Sequence, residues 1–304
     1  MRKYLSVGNV VCGLITIFLL FAAIVMLDQE EQTMEALGGA VEAPVDRVLS
    51  ANEGKVVVVS GKISHTGYSA YDETFEVGVD SPILKRNVDM YQWVEYTESY
   101  GNDIEYYYER EWSDSNPIRY SDNPSSKPYE SRMFYSEVML GEYRLAPELV
   151  EKMRFMGKWA DVAGLGRGAA DKYGLILSDD VLYYYQNPAG QYVDVGDARI
   201  YYEALDISGL SDITVAARQE GDMLVELRGD NNVFLVGNIY DGVMSAADVF
   251  GAREDDFAFA GITALVLILI FGLITALITR GNIKKYKLRE KFGDVGSESK
   301  WRRK

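Results

Sequence analysis

Side chains that commonly do chemistry are scarce in this chain of 304 residues. His65 is its one histidine, which leaves no His-rich metal set and no serine–histidine–aspartate relay with a spare base. Cys12, its one cysteine, lies inside an apolar run, so no thiolate nucleophile and no disulfide is expected in the rest of the chain. The glycines of GLGRGAADKYG (164–174) lack the G-x-G-x-x-G spacing that cradles a phosphate, and the segment reads as a flexible loop. LSDDV (177–181) is acidic enough to attract Ca²⁺ but lacks the D-x-D-x-D-G spacing of an EF-hand; a solvated surface is the simpler reading. Carboxylates are abundant, and two could flank a scissile bond as in a glycosidase, yet in so acidic a chain close pairs arise by chance. No catalytic residue, cofactor or metal ligand is assigned on these grounds, and a non-enzymatic protein is expected.

The ends of the chain explain its charge. Leu5–Leu27 holds 23 residues without a charge and Ala258–Thr279 holds 22. At about 1.5 Å per residue, each is long enough to cross a hydrocarbon core of about 30 Å. The first run is longer than the apolar region of a signal peptide and has no well-placed small-x-small site before Asp28, so it reads as an uncleaved anchor. Arg2 and Lys3 precede it; ten basic and three acidic residues follow the second run, within 280–304. Between Asp28 and Phe257 stand 19 basic and 43 acidic residues, a net of −24. The positive-inside rule then predicts cytoplasmic termini (1–4 and 280–304) and an extracytoplasmic middle. The basic tail could hold anionic lipid; a plain stop-transfer signal explains the same residues. So negative a domain would repel phosphate, and no nucleic-acid partner is expected.

The middle reads as mainly β, giving an α+β class: a β domain (52–257) inserted between two transmembrane α-helices (5–27 and 258–279). The first helix should run on through DQEEQTMEAL and break at Gly38-Gly39, with AVEAPVDRVLS as linker, so that 28–51 is a juxtamembrane helix and linker. VVVVSG, TFEVGVD, GLILSDDVLYYYQN, ARIYYEAL, ITVAARQ and DMLVELRG carry strand signals. APELVEKMRFMGKW (146–159) has Pro147 near a first turn and Leu149, Val150, Met153 and Met156 at helical spacing. Ser245 is placed to cap a helix leading into the second span. KRNVDMYQWVEY (85–96) and DIEYYYEREWSD (103–114) flank Gly101-Asn102, which suits a two-residue II′ turn. That turn sets Tyr91 opposite Trp112, Trp93 opposite Arg110 and Glu95 opposite Tyr108. A second hairpin is expected at Glu220-Gly221-Asp222.

NEGKVVVVSG, LKRNVDMYQWVEY, Glu111-Trp112, Asn123-Pro124, LGEYRLAPELV, QNPAGQYVDVGDARI, TVAARQEGDMLV and SAADVF occur in this order. Together they resemble the LUMA family, transmembrane protein 43, over nearly the whole middle domain. The resemblance implies an integral membrane protein with a large non-cytosolic domain that self-associates and organises membrane protein complexes. It carries over no catalytic residue. Arg86, Tyr91, Trp93, Glu95, Trp112, Gly196, Asp197, Arg199, Arg218, Gly221 and Asp222 match as markers of fold or interface. Eukaryotic members have several C-terminal spans and belong to the endoplasmic reticulum and nuclear envelope. The single C-terminal span here suggests a bacterial member, at the plasma membrane and facing the periplasm.

The expectation is a self-associating membrane scaffold whose partners are membrane lipid, further copies of itself and other membrane proteins. A ligand- or stress-sensing ectodomain working through a membrane partner is the alternative, and a carboxylate-based hydrolase ranks below both.

Overall fold

The structure is a computed structural model that describes residues 7–65, 70–101, 103–165, 167–187, 192–210 and 212–292. Helix α1 (Val7–Gly38) is followed by strands β1 (Val41–Glu42), β2 (Val56–Gly61), β3 (Ile63–His65), β4 (Ala70–Asp72) and β5 (Val77–Val79). Two long strands come next, β6 (Ile83–Tyr100) and β7 (Asp103–Ser113), then β8 (Arg132–Tyr135), β9 (Val138–Leu140) and β10 (Tyr143–Leu145). After helix α2 (Pro147–Lys152) lie β11 (Lys158–Asp161), helix α3 (Arg167–Tyr173), β12 (Ile176–Ser178) and β13 (Val181–Tyr184). Strands β14 (Ala198–Asp206), β15 (Ile213–Glu220), β16 (Met223–Val225), β17 (Leu227–Arg228), β18 (Phe234–Val236) and β19 (Asn238–Asp241) lead to helix α4 (Ala246–Phe292). The chain divides into two compact units: α1 and α4 with Gly229–Leu235, and the β body formed by Ala40–Arg228 and Val236–Ser245.

In the helical unit α1 and α4 run side by side. A Cβ on Gly38 would meet the Phe250 ring at 3.9 Å, and one on Gly261 would meet Met26 at 3.8 Å. Leu37, Val249 and Phe257 are buried here, whereas Phe18, Phe21, Ile262 and Leu269 stand more than 60% exposed, as a lipid-facing surface would be. Thr16, Thr263, Thr275 and Thr279 turn their hydroxyls back onto carbonyls four residues earlier, at 2.7–2.9 Å. That bond satisfies a hydroxyl where no water can. Just past the first apolar run, the Gln29 amide donates to the Phe234 carbonyl at 2.8 Å. Helix α1 ends at Gly38, where the sequence places its break.

The β body is built on two sheets. The eight-stranded sheet runs β1-β2-β15-β16-β10-β9-β3, with β19 also on β15. The Val-rich β2 is buried at Val56–Val59 because it sits between neighbours and is covered on both faces. Val57, Val59, Leu140, Tyr143, Leu149, Met153 and Val215 form its core. The seven-stranded sheet runs β12-β13-β14-β6-β7, with β11 on β14 and β8 on β6. Its core gathers Phe75, Leu84, Val88, Ala170, Leu182, Ile200 and Tyr202.

Three local expectations are corrected, and a strand signal is resolved into a hairpin. Helix α2 stops at Lys152 rather than near Trp159, because 158–161 pair with β14, setting Trp159 opposite Leu205. Gly157 permits this approach; a Cβ there would lie 2.5 Å from the Asp206 carbonyl. The expected loop at 164–174 contains α3, closed by Gly174 at φ +65° and a bond from the Leu175 N–H to the Ala170 carbonyl, with Ala170 and Leu175 in one core. GLILSDDVLYYYQN is a hairpin, β12–β13, turning on Asp179 and Asp180 at φ 50° and 58°. The Asp180 carboxylate accepts the Gly164 and Leu165 N–H groups at 2.8 and 2.9 Å, so this acidic turn fastens a neighbouring segment. Finally, the expected linker after Gly39 supplies β1, and Val45 packs where Gly61 and Gly141 leave room.

Candidate interaction face

Strands β6 and β7 pair without a break from Met90↔Ser113 to Tyr100↔Asp103. The register places Tyr91 opposite Trp112, Trp93 opposite Arg110 and Glu95 opposite Tyr108, in agreement with the turn-based expectation. Gly101 has φ +66°; Asn102, on which the expected turn also depends, lies outside the described residues. Odd-numbered residues of β6 share one face with the even-numbered residues of β7, because side chains alternate along each strand.

That face carries a ladder of rings. Tyr91 meets Trp112 edge-on at 5.6 Å, and Trp112 meets Tyr183 at 6.4 Å. The Arg199 guanidinium covers Trp112 at 5.1 Å while bonding Asp89 at 2.8 Å. Further out, the Arg110 guanidinium lies 5.2 Å from the Trp93 ring. Tyr120, from the loop after β7, meets Trp93 edge-on at 5.6 Å and stacks on Tyr108 at 3.7 Å. The Trp93 indole N–H donates to Asp122 at 2.8 Å, which with further hydrogen bonds holds that carboxyl below the usual aspartate range.

Backbone partners on the β14 side of β6 run out stepwise. Tyr91 exchanges bonds with Gly196 and Asp197, Gly196 N–H donating at 2.8 Å and Asp197 carbonyl accepting at 2.9 Å. Gly196 sits at φ +98°, and a Cβ there would strike the Gln186 amide at 2.1 Å. The Asp197 carboxylate accepts the Gln186 and Asp194 N–H groups at 2.9 and 2.8 Å, fixing this corner. At Trp93 the partner is a side chain: Asn123 accepts the Trp93 N–H at 2.9 Å and donates to its carbonyl at 3.0 Å. Past Trp93, among the described residues, β6 pairs with β7 alone. On its other edge, where β7 ends and β8 begins, buried Lys127 donates to the Val88 and Asp114 carbonyls.

The outer half of this hairpin is therefore a two-stranded ribbon, and its side chains stand open. Tyr100 is 57% exposed, Ile104 58%, Tyr106 59% and Tyr107 44%. Its second face bears Asp103, Glu105, Glu109 and Glu111. Tyr96 stacks on Tyr107 at 5.3 Å and donates to Glu111; that bond, aided by partial burial, pushes its pKa to about 12. Tyr108 donates to Glu95 at 2.6 Å, which likewise raises the phenol.

Of the residues marked by resemblance, Tyr91, Trp93, Glu95, Trp112, Gly196, Asp197 and Arg199 come together here. Arg86 does not. Its even number puts it on the opposite face, where it bonds Asp72 at 2.7 Å, deep in the core, between the Phe75 and Phe134 rings. The Tyr202 hydroxyl donates to the same Asp72 oxygen at 2.7 Å, and burial, then that bond, drive its pKa far upward. Arg218, Gly221 and Asp222 lie in the other sheet, at the β15–β16 turn. Arg144 reaches Asp222 at 3.2 Å, Glu53 accepts the Gly221 N–H at 2.9 Å, and Arg218 pairs with Glu220. Sequence reasoning missed Asp89, Tyr120 and Tyr183 as members of the face. It quoted Asn123 without foreseeing that its amide would stand in for a strand.

A cavity of about 500 Å³ opens nearby, lined among others by Asp161, Asp179, Asp180, Tyr183, Arg199 and Tyr201. The carboxylates whose pKa shifts and which are part-buried lie elsewhere and are ion-paired. Burial would raise Glu203, but Lys85 and Asn87 outweigh it and hold it low; Glu226 is held low against burial by Lys152 and Arg228. Such groups stay ionised, the opposite of a general acid.

Two long apolar helices joined to a mainly β body define a membrane protein with a substantial non-membrane domain. The chain belongs to the transmembrane protein 43 family, whose description, Transmembrane protein 43, matches residues 90–285, from the inner end of the aromatic hairpin through the second apolar run. Transmembrane protein 43 of Homo sapiens is 30% identical over 232 residues, covering 68% of this chain and 55% of the relative. The Mus musculus protein is 30% identical over 236 residues (69% and 56%), and the Drosophila melanogaster homolog 28% over 218 (65% and 55%). The chain thus spans about half the length of the curated relatives it matches. No solved structure matches it.

Proposed function

We propose that this protein is a non-enzymatic membrane scaffold that self-associates through its β body and gathers other membrane proteins around it. The observation that carries the reading is the aromatic ribbon, with Tyr100, Ile104, Tyr106 and Tyr107 exposed on a rigidly registered hairpin. Tyrosine combines apolar area with a polar tip and few rotors, which suits a contact surface. Because the β body is joined to a membrane helix at each end, its partners meet it at the raised effective concentration of a shared membrane. The charge map supports cytoplasmic termini and an extracytoplasmic body, in the periplasm of a bacterial cell or in the endoplasmic reticulum and nuclear envelope of a eukaryotic one.

Crosslinking in cells, followed by sedimentation of the full chain in mild detergent, tests self-association. Crosslinked multimers are expected; a monodisperse monomer at all concentrations, without crosslinks, overturns the reading. Proteinase added to intact spheroplasts should digest the β body and spare the termini. The cavity beside Arg199 favours a second reading, a ligand-sensing ectodomain working through a partner. A screen of small polar ligands for thermal stabilisation would support it, and no shift with any ligand would remove it.

A further inference from the structure

Sheet edges are places where proteins aggregate, and most proteins keep them short, bulged or covered. Three of the four path ends here follow that rule: β1 has two residues, β3 three and β12 three. The fourth, β7, is blunted by charge alone: it has eleven residues, Asp103, Glu105, Glu109 and Glu111 among them, contains no proline, and keeps one unbroken register with β6. The β6 groups at Tyr91 and Trp93 point away from β7, since they bond Gly196, Asp197 and Asn123. By the alternation of an antiparallel ladder, their opposite numbers Trp112 and Arg110 also turn their N–H and C=O groups away from β6, as do Tyr108, Tyr106 and Ile104. Among the described residues this row has no strand partner. A two-stranded ribbon is marginal in water by itself, and a third strand would complete it.

We infer that β7 pairs antiparallel with β7 of a second copy of this chain about a two-fold axis at Tyr108. This rests on the self-association reading and assigns its site. The register centred on Tyr108 is the one in which all eleven residues pair, Asp103 opposite Ser113 of the second copy. On the aromatic face Tyr108 meets its own counterpart, Tyr106 lies beside Arg110 of the second copy, and Ile104 beside its Trp112. On the acidic face Tyr107 lies beside Glu109 of the second copy, and the one opposed pair of carboxylates is Glu105 with Glu111. Because residues 28–257 carry a net charge of −24, long-range repulsion opposes the pairing and salt strengthens it. A cationic extended peptide on the same edge would show the reverse dependence.

The test is the oligomeric state of the full chain in detergent, by sedimentation, from low to physiological salt, for three proteins. The parent should assemble more tightly as salt rises. Tyr106→Pro removes an outward N–H without touching the bonds to β6, and should weaken assembly at least tenfold. Glu105→Lys turns two repulsive pairs into attractive ones and should tighten assembly about tenfold. Unchanged tryptophan fluorescence verifies folding; should Tyr106→Pro unfold, Glu105→Lys, a surface change, carries the test. An assembling parent whose two variants behave like it overturns the edge pairing and leaves self-association standing. A weaker Glu105→Lys assembly overturns the register, and a parent whose assembly weakens with salt overturns the pairing of two acidic edges. A parent that never assembles overturns both readings.

Discussion

Tyr91 faces Trp112 across the β6–β7 hairpin, their rings edge-on with centroids 5.6 Å apart and planes at 62°. An edge-to-face contact between directly opposed residues couples them by about 0.5–1 kcal/mol. A double-mutant cycle with Tyr91→Leu and Trp112→Leu, read by urea unfolding, should return a coupling in that range. Additive effects of the two changes would show that the contact holds nothing in place.

Arg86 is a structural residue. Its guanidinium neutralises an Asp72 that is fully buried and also bound by Tyr202 and the Thr74 N–H. Arg86→Met should destabilise the β body by about 3–5 kcal/mol, because it strands a buried carboxylate. Asp72 and Arg86 replaced together by apolar residues should lose much less. A double change as damaging as the single one would refute this account.

Two glycines with positive φ should respond differently to alanine. At Gly221, φ +61°, nothing lies within 4 Å of a new Cβ, so Gly221→Ala should cost about 1–2 kcal/mol from backbone strain alone. At Gly141, φ +58°, the Cβ would lie 2.1 Å from the Val45 carbonyl. Gly141→Ala should therefore cost clearly more, to the point of reduced yield of folded protein. Thermal melts of the two variants side by side decide it.

The lowered pKa values of Glu203 and Glu226 predict a loss of stability in acid. A carboxyl depressed in the folded state contributes fully above its unfolded pKa, about 4.3 for glutamate. The contribution fades as pH falls through the folded value. Stability should thus decline on acidification below about pH 5, over the window between unfolded and folded pKa. Glu203→Gln should flatten part of that decline, measured as urea midpoints from pH 7 to pH 3. An identical slope in the variant would remove Glu203 from the explanation.

The sequence by itself determined the features that act over short range. The two charge-free runs mark the apolar helices, the Gly38-Gly39 pair marks where α1 ends, and turn chemistry registered β6 with β7 and located the turn between β15 and β16. Parity alone could have told that Arg86 points away from Tyr91. Only tertiary structure decided that 158–161 would leave a helical pattern to pair with β14, that α3 would form, and that an Asp-Asp turn would anchor Gly164 and Leu165. It also brought Arg199 onto Trp112 and Asn123 onto the edge of Trp93. Periodicity and turn preference act between residues a few positions apart. Pairing across 30 to 110 positions is chosen by burial and by the need of every buried backbone group for a partner, and a linear reading does not contain that choice.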